Sequence, residues 1–384
     1  MKIMTGIIAL FSASFALGQM TNLDFEKIDI SPDPLNFLHA DIDKIPGQKL
    51  LALSPTQSFP FYLIDSETLE IKQTYDVGNW YAGARIEPSV SGKYILLQQL
   101  FYLDYSPNKD REVKFEVIEA GTGKTVLRID KAHAASFHPS EENLIVLRGD
   151  DVYAYSLDGK GDRKLFPVPG ATNCAAISPD GTKIAISHMP EAGFLDDYLT
   201  KKKQRKNFKL YKKYRQCISV YDAKTFEKIY TVDEMYDIPY FLKFSPESDV
   251  LLCYSVPHIK LSEKSGMGNS HYISKTDART GQYMPGGFVS NSTHEPDFEF
   301  SHSGKYVALV TLNSKYPEVW ICEFETSKII ARFEVASRLL EGFKKGNFSA
   351  DVGRTGLAFS EDDSILYFTA GSIIFKWNIP YENQ

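Results

Sequence analysis

The chain has 384 residues, with 43 Lys and Arg against 49 Asp and Glu and a formal net charge of -6, which argues against nucleic acid as a partner because phosphate binding needs a basic face. At 43% hydrophobic, 24% charged and 13% aromatic it is neither a disordered chain nor a helical rod, and its 22 Tyr and 25 Phe suit pleated, half-buried strands.

Residues 1–18 read as an export signal. Lys2 supplies the positive start, and Ile3 to Leu17 is apolar apart from Thr, Gly and Ser. Ala16-Leu17-Gly18 puts small residues at the two positions a signal peptidase reads, so cleavage is expected before Gln19, leaving residues 19–384 as one domain. The apolar run is shorter than the ~20 residues of a membrane span, and no later stretch reaches that length. Removing the segment takes away Lys2 and no acid, which moves the net charge from -6 to -7. The expected location is secreted or periplasmic. Asn22 to Ile30 follows as a strand-like segment with no neighbour of its own.

From there a unit recurs: a short apolar strand, a Pro/Asp/Gly turn, a second strand, a third, an acidic-Thr-Gly-like turn and a fourth. The clearest first half is Cys174 to Ser187, with Ser-Pro-Asp-Gly at its turn. Similar pieces are Ile42 to Leu53, Arg85 to Leu97, Ser136 to Leu147, Leu242 to Tyr254, Phe298 to Val310 and Leu357 to Thr369, making seven copies. Second halves turn at Asp65, Glu119, Asp158, Asp222, Asp277 and Glu323. Asp and Asn cap the backbone of such turns, and Gly supplies positive φ without steric cost. The seventh copy stops after Trp377-Asn378-Ile379 and lacks its fourth strand, which Asn22 to Ile30 is expected to supply, because closure removes exposed edges. Cys174, Cys217, Cys253 and Cys322 each fall inside a strand, with no Cys-x-x-Cys pair, and read as buried free thiols.

The pattern resembles the Trp-Asp-repeat family and its looser bacterial relatives. Phe137, Phe244, Phe300 and Phe359, with Ile177, hold the position before the first turn. Asp151 stands where that family has its structural Asp, and Trp377 where its Trp falls. The resemblance spans nearly the whole mature chain and implies an all-β, seven-bladed β-propeller of four-stranded blades, closed by the N-terminal strand. No Trp-Asp dipeptide and no Gly-His pair of the strict repeat is present, so the family's buried His-Asp network does not carry over.

Insertions mark where such a scaffold departs from its repeat. The largest, 191–216 in the fourth blade, is expected to be helical. Its core joins Lys201, Lys202, Lys203, Arg205, Lys206, Lys209, Lys212, Lys213 and Arg215 with Phe208, Tyr211 and Tyr214, and holds no acid. Such a run either binds an anionic surface or keeps a helical hairpin wet. Pro257 to His271 is Ser/Gly-rich, and Ala336 to Thr355 contains an expected short helix at Ser337 to Lys345.

Residues just before each innermost strand converge on one mouth of the channel: His39, Arg85, His133, Asn173, Tyr240, Glu295, Asp297 and Arg354. A polar ring of this kind is a default ligand site, or simply a wet channel mouth.

Catalytic motifs are not found. Glu119-Ala-Gly-Thr-Gly-Lys-Thr125 has Ile118 where a phosphate loop needs Gly, and reads as a hairpin turn. No Gly-x-Ser-x-Gly elbow occurs, the eight His have no metal spacing, and no cofactor is expected. Asn291-Ser-Thr and Asn347-Phe-Ser match glycosylation acceptors. The function expected is a non-enzymatic exported scaffold that presents a propeller face and the basic insertion to a protein or anionic cell-envelope component. The alternative is a ligand-binding or hydrolase/lactonase-like propeller working at the channel mouth.

Overall fold

Alternating apolar residues, cut every few positions by Asp, Ser, Thr and Gly, form strands and little else. The computed structural model describes residues 24–29, 39–55, 61–77, 83–100, 112–199, 208–257, 271–290, 297–313, 316–335 and 355–381. Strand β1 is Phe25–Asp29. Blade 1 holds β2 (His39–Lys44), β3 (Leu50–Pro55), β4 (Phe61–Asp65) and β5 (Ile71–Tyr75). Blade 2 holds β6 (Ala84–Pro88), β7 (Tyr94–Gln99), β8 (Val113–Glu119) and β9 (Thr125–Ala132). Blade 3 holds β10 (Ala134–Phe137), β11 (Asn143–Arg148), β12 (Asp151–Ser156) and β13 (Asp162–Pro167). Blade 4 holds β14 (Ala171–Ile177), β15 (Lys183–His188), β16 (Cys217–Asp222) and β17 (Lys228–Thr231), with helices α1 (Ala192–Tyr198) and α2 (Phe208–Tyr214) between its second and third strands. Blade 5 holds β18 (Ile238–Phe244), β19 (Val250–Val256), β20 (His271–Asp277) and β21 (Tyr283–Ser290). Blade 6 holds β22 (Phe298–Phe300), β23 (Tyr306–Asn313), β24 (Tyr316–Glu323) and β25 (Ile329–Glu334). Blade 7 adds β26 (Leu357–Phe359), β27 (Ile365–Ala370) and β28 (Ile373–Asn378).

Six blades are meanders in chain order, from β2-β3-β4-β5 to β22-β23-β24-β25. The seventh has the order β1-β28-β27-β26, so the N-terminal strand completes it, with Phe25 opposite Trp377 and Asp29 opposite Ile373. First strands lie innermost and meet around the ring, β2 touching both β6 and β26. The chain is a seven-bladed β-propeller.

The core lies between blades. Phe333 of blade 6 meets Trp377 of blade 7 edge-to-face at 5.3 Å, and Phe25 meets Phe333 in the same way at 5.2 Å. Trp377, Phe333, Phe368 and Phe375 are fully buried, each contributing about 2–3 kcal/mol of burial. All four cysteines are buried within β14, β16, β19 and β24.

Turn chemistry follows the repeat. The Asp222 carboxylate accepts the N–H groups of Lys224 and Thr225 at 2.9 and 2.7 Å, and the Thr225 N–H foremost holds its pKa below the ordinary value. Neighbouring blades are pinned at these turns. The Tyr75 hydroxyl donates to the Ala120 carbonyl at 2.7 Å, and the Tyr230 hydroxyl to Ala278 at 2.8 Å. Both rings lie under a turn glycine, Gly123 (φ +70) and Gly281 (φ +77), where a Cβ would stand 2.2 and 2.5 Å from the ring. That is why these turns read Thr-Gly: the backbone is left-handed there and the preceding blade's tyrosine leaves no room.

Candidate functional site

In an antiparallel meander, first-to-second and third-to-fourth connections share one face, and the remaining connections share the other. On the first face, here the turn face, each hairpin leaves five residues between its strands, as at 45–49, 120–124 and 360–364. The opposite loop face ranges from a single residue between β9 and β10 to 28 residues between β15 and β16, with long connections also at 100–112, 257–270 and 335–356. The expected channel-mouth residues and the insertion belong to the same loop face.

At the mouth the structure joins two of the expected residues directly. Arg85, on β6 of blade 2, reaches across the channel so that its Nη2 lies 3.1 Å from Asp297 Oδ1 beside blade 6. Its guanidinium carbon stands 3.2 Å from the ring centroid of Phe241 in blade 5. The other Asp297 oxygen accepts the Leu357 N–H at 3.2 Å. Arg85 and Asp297 therefore satisfy each other as a bar across the opening.

Asn173 and Tyr240 sit where β14 and β18 slip register, between Ala171 and Ala175 and between Pro239 and Phe241. Such bulges re-aim side chains at strand ends. Both amide atoms of Asn173 are buried without a hydrogen-bond partner. His133, the single residue between β9 and β10, is buried, and its backbone N–H is bonded to the Leu147 carbonyl at 2.7 Å. The backbone of His39 begins β2, whereas its side chain, Glu295 and Arg354 lie outside what is described.

Behind the bar is a charged chamber that the sequence pattern did not single out. Phe241 and Lys243, Asp297 and Glu299, Arg85 and Glu87, and Asp41 and Asp43 are two apart along the chain, and in a strand that spacing shares one face. Lys243 of blade 5 is bonded through Nζ to both oxygens of Glu299 in blade 6. Glu87 Oε1 accepts the Ser136 hydroxyl at 2.8 Å and the Phe137 N–H at 3.2 Å, tying blade 2 to blade 3. The Lys243 side chain is 32% accessible although atoms surround it on every side, so its solvent contact is with the channel. Burial pulls its pKa down, but the Glu299 and Asp43 charges outweigh that and leave it raised. Burial, then the Glu299 charge, pushes the Asp43 carboxyl well above its ordinary value against the pull of Lys243. Burial also raises Glu87, against the Ser136 and Phe137 hydrogen bonds.

These two raised carboxyls fix the sign of a pH effect. The folded chain holds protons there that the unfolded chain has released, so their contribution to stability is present below the unfolded pKa and lost as pH rises through the folded one. Asp43→Asn is expected to raise the melting temperature near neutral pH and to flatten its fall with rising pH. The gain vanishes below about pH 4, where the carboxyl is protonated in both states. A melting temperature unchanged by the substitution across that range would sink the assignment.

The insertion is built with its apolar side on the blade. Leu195, Leu199, Cys217 and Met235 are buried together, with Phe208 and Tyr211 packed on them. Arg215, expected with the basic stretch, turns inward: its Nη1 lies 2.9 Å from Asp237 and donates to the Met235 carbonyl at 3.0 Å. It anchors the helices and is not part of an outer basic surface. Lys209, Lys212 and Lys213 do face outward from α2. Lys201, Lys202, Lys203, Arg205 and Lys206 fall outside the described residues, as do the signal segment 1–18, the 258–270 connection, Ser337 to Lys345, Asn291 and Asn347.

Among the described residues no group of three His, Cys, Asp or Glu gathers as metal ligands, and no helix is long and apolar enough to cross a membrane. No protein-family model matches the chain, and no curated protein matches its sequence. Among solved structures it is similar to the β-propeller domain of Cps50 (Swd1) from Myceliophteria thermophila. That likeness is 13% identical at a TM-score of 0.58, over 92% of this chain and 100% of the other. Hydrazine synthase of Kuenenia stuttgartiensis is 16% identical at a TM-score of 0.49, over 74% of this chain and 72% of that one. The first likeness supports the seven-bladed ring; at such identities it is one of fold alone.

Proposed function

We propose that the chain is an exported, non-enzymatic interaction scaffold, a diverged Trp-Asp-repeat-like propeller whose loop face docks an anionic protein or cell-envelope component. The observation that carries this reading is the contrast between faces: the turn face is uniform, and all the long connections and the helical insertion rise from the loop face. Uniform turns are what a scaffold requires, and loop length is what recognition uses. At the channel mouth Arg85 and Asp297 are paired with each other, which favours contact across the face over a charged ligand held by either.

Charge supports the anionic partner. The nine Lys and Arg of 201–215 set against the whole-chain -6 leave -15 for the remainder, so cations are concentrated on one insertion of an otherwise acidic molecule. Lys209 lies three and four residues from Lys212 and Lys213, a like-charge spacing that disfavours the helix by a few tenths of a kcal/mol per pair. Packing does not need these lysines, since Phe208, Tyr211 and Arg215 attach the segment.

The test is an affinity capture from the native envelope with the mature chain, whose exported form is expected to begin at Gln19, and with a Lys209→Glu, Lys212→Glu, Lys213→Glu variant. The expected outcome is a defined partner held by the first, released by salt and reduced at least several-fold in the variant. A partner held equally by both would remove the basic stripe from the reading.

A further inference from the structure

Away from the loop face, the rim holds a groove of about 610 Å³ between blades 2 and 3. One wall is β9 from Leu127 to Lys131, and the other is Arg148, Tyr155 and the turn leading to Asp162. Every blade ends in an outer strand paired on one side only, but β9 differs from the rest. It runs eight residues without Pro or Gly. By contrast β17 has four residues, β1 and β5 five and β25 six, β13 ends in Pro167, and β21 is interrupted by Pro285 and Gly286. Natural edges are usually blunted by such interruptions. Bulges in the β8–β9 pairing, between Val113 and Phe115 and between Val117 and Ile118, increase the twist of β9 along the groove.

We propose that this groove takes an extended peptide segment of a partner protein, added to blade 2 as a fifth strand along β9. Main-chain hydrogen bonds to the open side of β9 supply the attachment, and blade 3 supplies the opposite wall. The charges run in a direction. Lys131 and Arg148, with the single acid Asp130 beside them, stand at the loop-face end, and Asp162 stands at the turn-face end beside Gly159 and Gly161. Arg128, in the middle, is already neutralised by the buried Glu116 carboxylate at 3.1 Å. Arg148 donates to a neutral group, the Tyr155 hydroxyl, at 3.3 Å. The segment that fits carries an acidic side chain toward Lys131 and Arg148, an apolar one against the half-buried Leu127, and a hydroxyl or basic one toward Asp162.

The experiment titrates the mature chain into fluorescein-labelled Glu-Val-Glu-Val-Ser-Val and follows anisotropy. The same peptide N-methylated at alternate residues keeps its charges but loses the N–H groups a ladder needs. Saturable binding is expected, weakened about tenfold both by N-methylation and by a Lys131→Glu, Arg148→Glu variant, with slowed amide exchange in Thr125 to Ala132. Both substituted side chains face solvent, so the variant should melt as the parent does. Equal binding of the N-methylated peptide, protection elsewhere on the ring, or no saturable binding would overturn the proposal. None of these outcomes bears on the loop face, which the lysine variant of α2 tests separately.

Discussion

A chain beginning at residue 31, and so lacking β1, is expected to unfold at markedly lower denaturant, with a loss of about 3–5 kcal/mol. Two effects add. Phe25 no longer covers Phe333 and Phe375, from which its ring stands 5.2 and 6.0 Å, and Ile28 leaves the cluster that joins blades 7 and 1. The ladder from Phe25–Trp377 to Asp29–Ile373 is removed as well, which bares the edge of β28. An open edge of that kind associates with itself, so light scattering should rise with concentration. A synthetic peptide spanning residues 22–30 added in trans should restore both the midpoint and the monomer. An unchanged midpoint would mean that the ring does not depend on its N-terminal strand.

The second large effect is expected inside the channel. Lys243→Met removes the cation that bonds both Glu299 oxygens and opposes Asp43, leaving carboxylates facing one another within the ring. Breaking a buried pair from one side costs about 3–5 kcal/mol, and the 32% accessibility of Lys243 to the channel lowers the expectation to about 2–4. The double variant with Glu299→Gln should recover much of that loss, because it removes the charge left behind. Acidification should narrow the gap between the single variant and the parent, since protonated carboxyls no longer repel. Urea unfolding of the three chains at two pH values decides it: a single variant as stable as the parent would mean that the pair contributes nothing.

Several features of this ring were legible from local chemistry. Each five-residue hairpin leaves a trace in its own few residues, such as Asp222 with the Thr225 N–H that it caps or the Thr-Gly of Gly123 and Gly281. The seven copies, the missing strand of the last and the excess length at 191–216 follow from counting those traces. The repeat is faint where Leu69, Glu141, Phe226, Ser248, Ser327 and Asp363 take the positive φ that glycine takes in the other turns. Tertiary packing tolerates that local strain, so the expected glycine is absent from the sequence.

The sequence by itself determined the blade number, the closing strand and the face from which the insertion rises, because strand alternation and turn residues act over a few positions and the meander's directions do the rest. Only the tertiary structure decided what meets what. Arg85 and Asp297 are 212 residues apart and Asp43 and Lys243 about as far, and they converge only because closure of the ring sets blades 1 and 2 opposite blades 5 and 6. Packing between neighbouring blades turns Arg215 inward onto Asp237 and leaves the groove beside β9. Charge in a sequence is a property of each residue, but whether that charge is spent on a neighbour depends on which blade lies within a few ångströms of it.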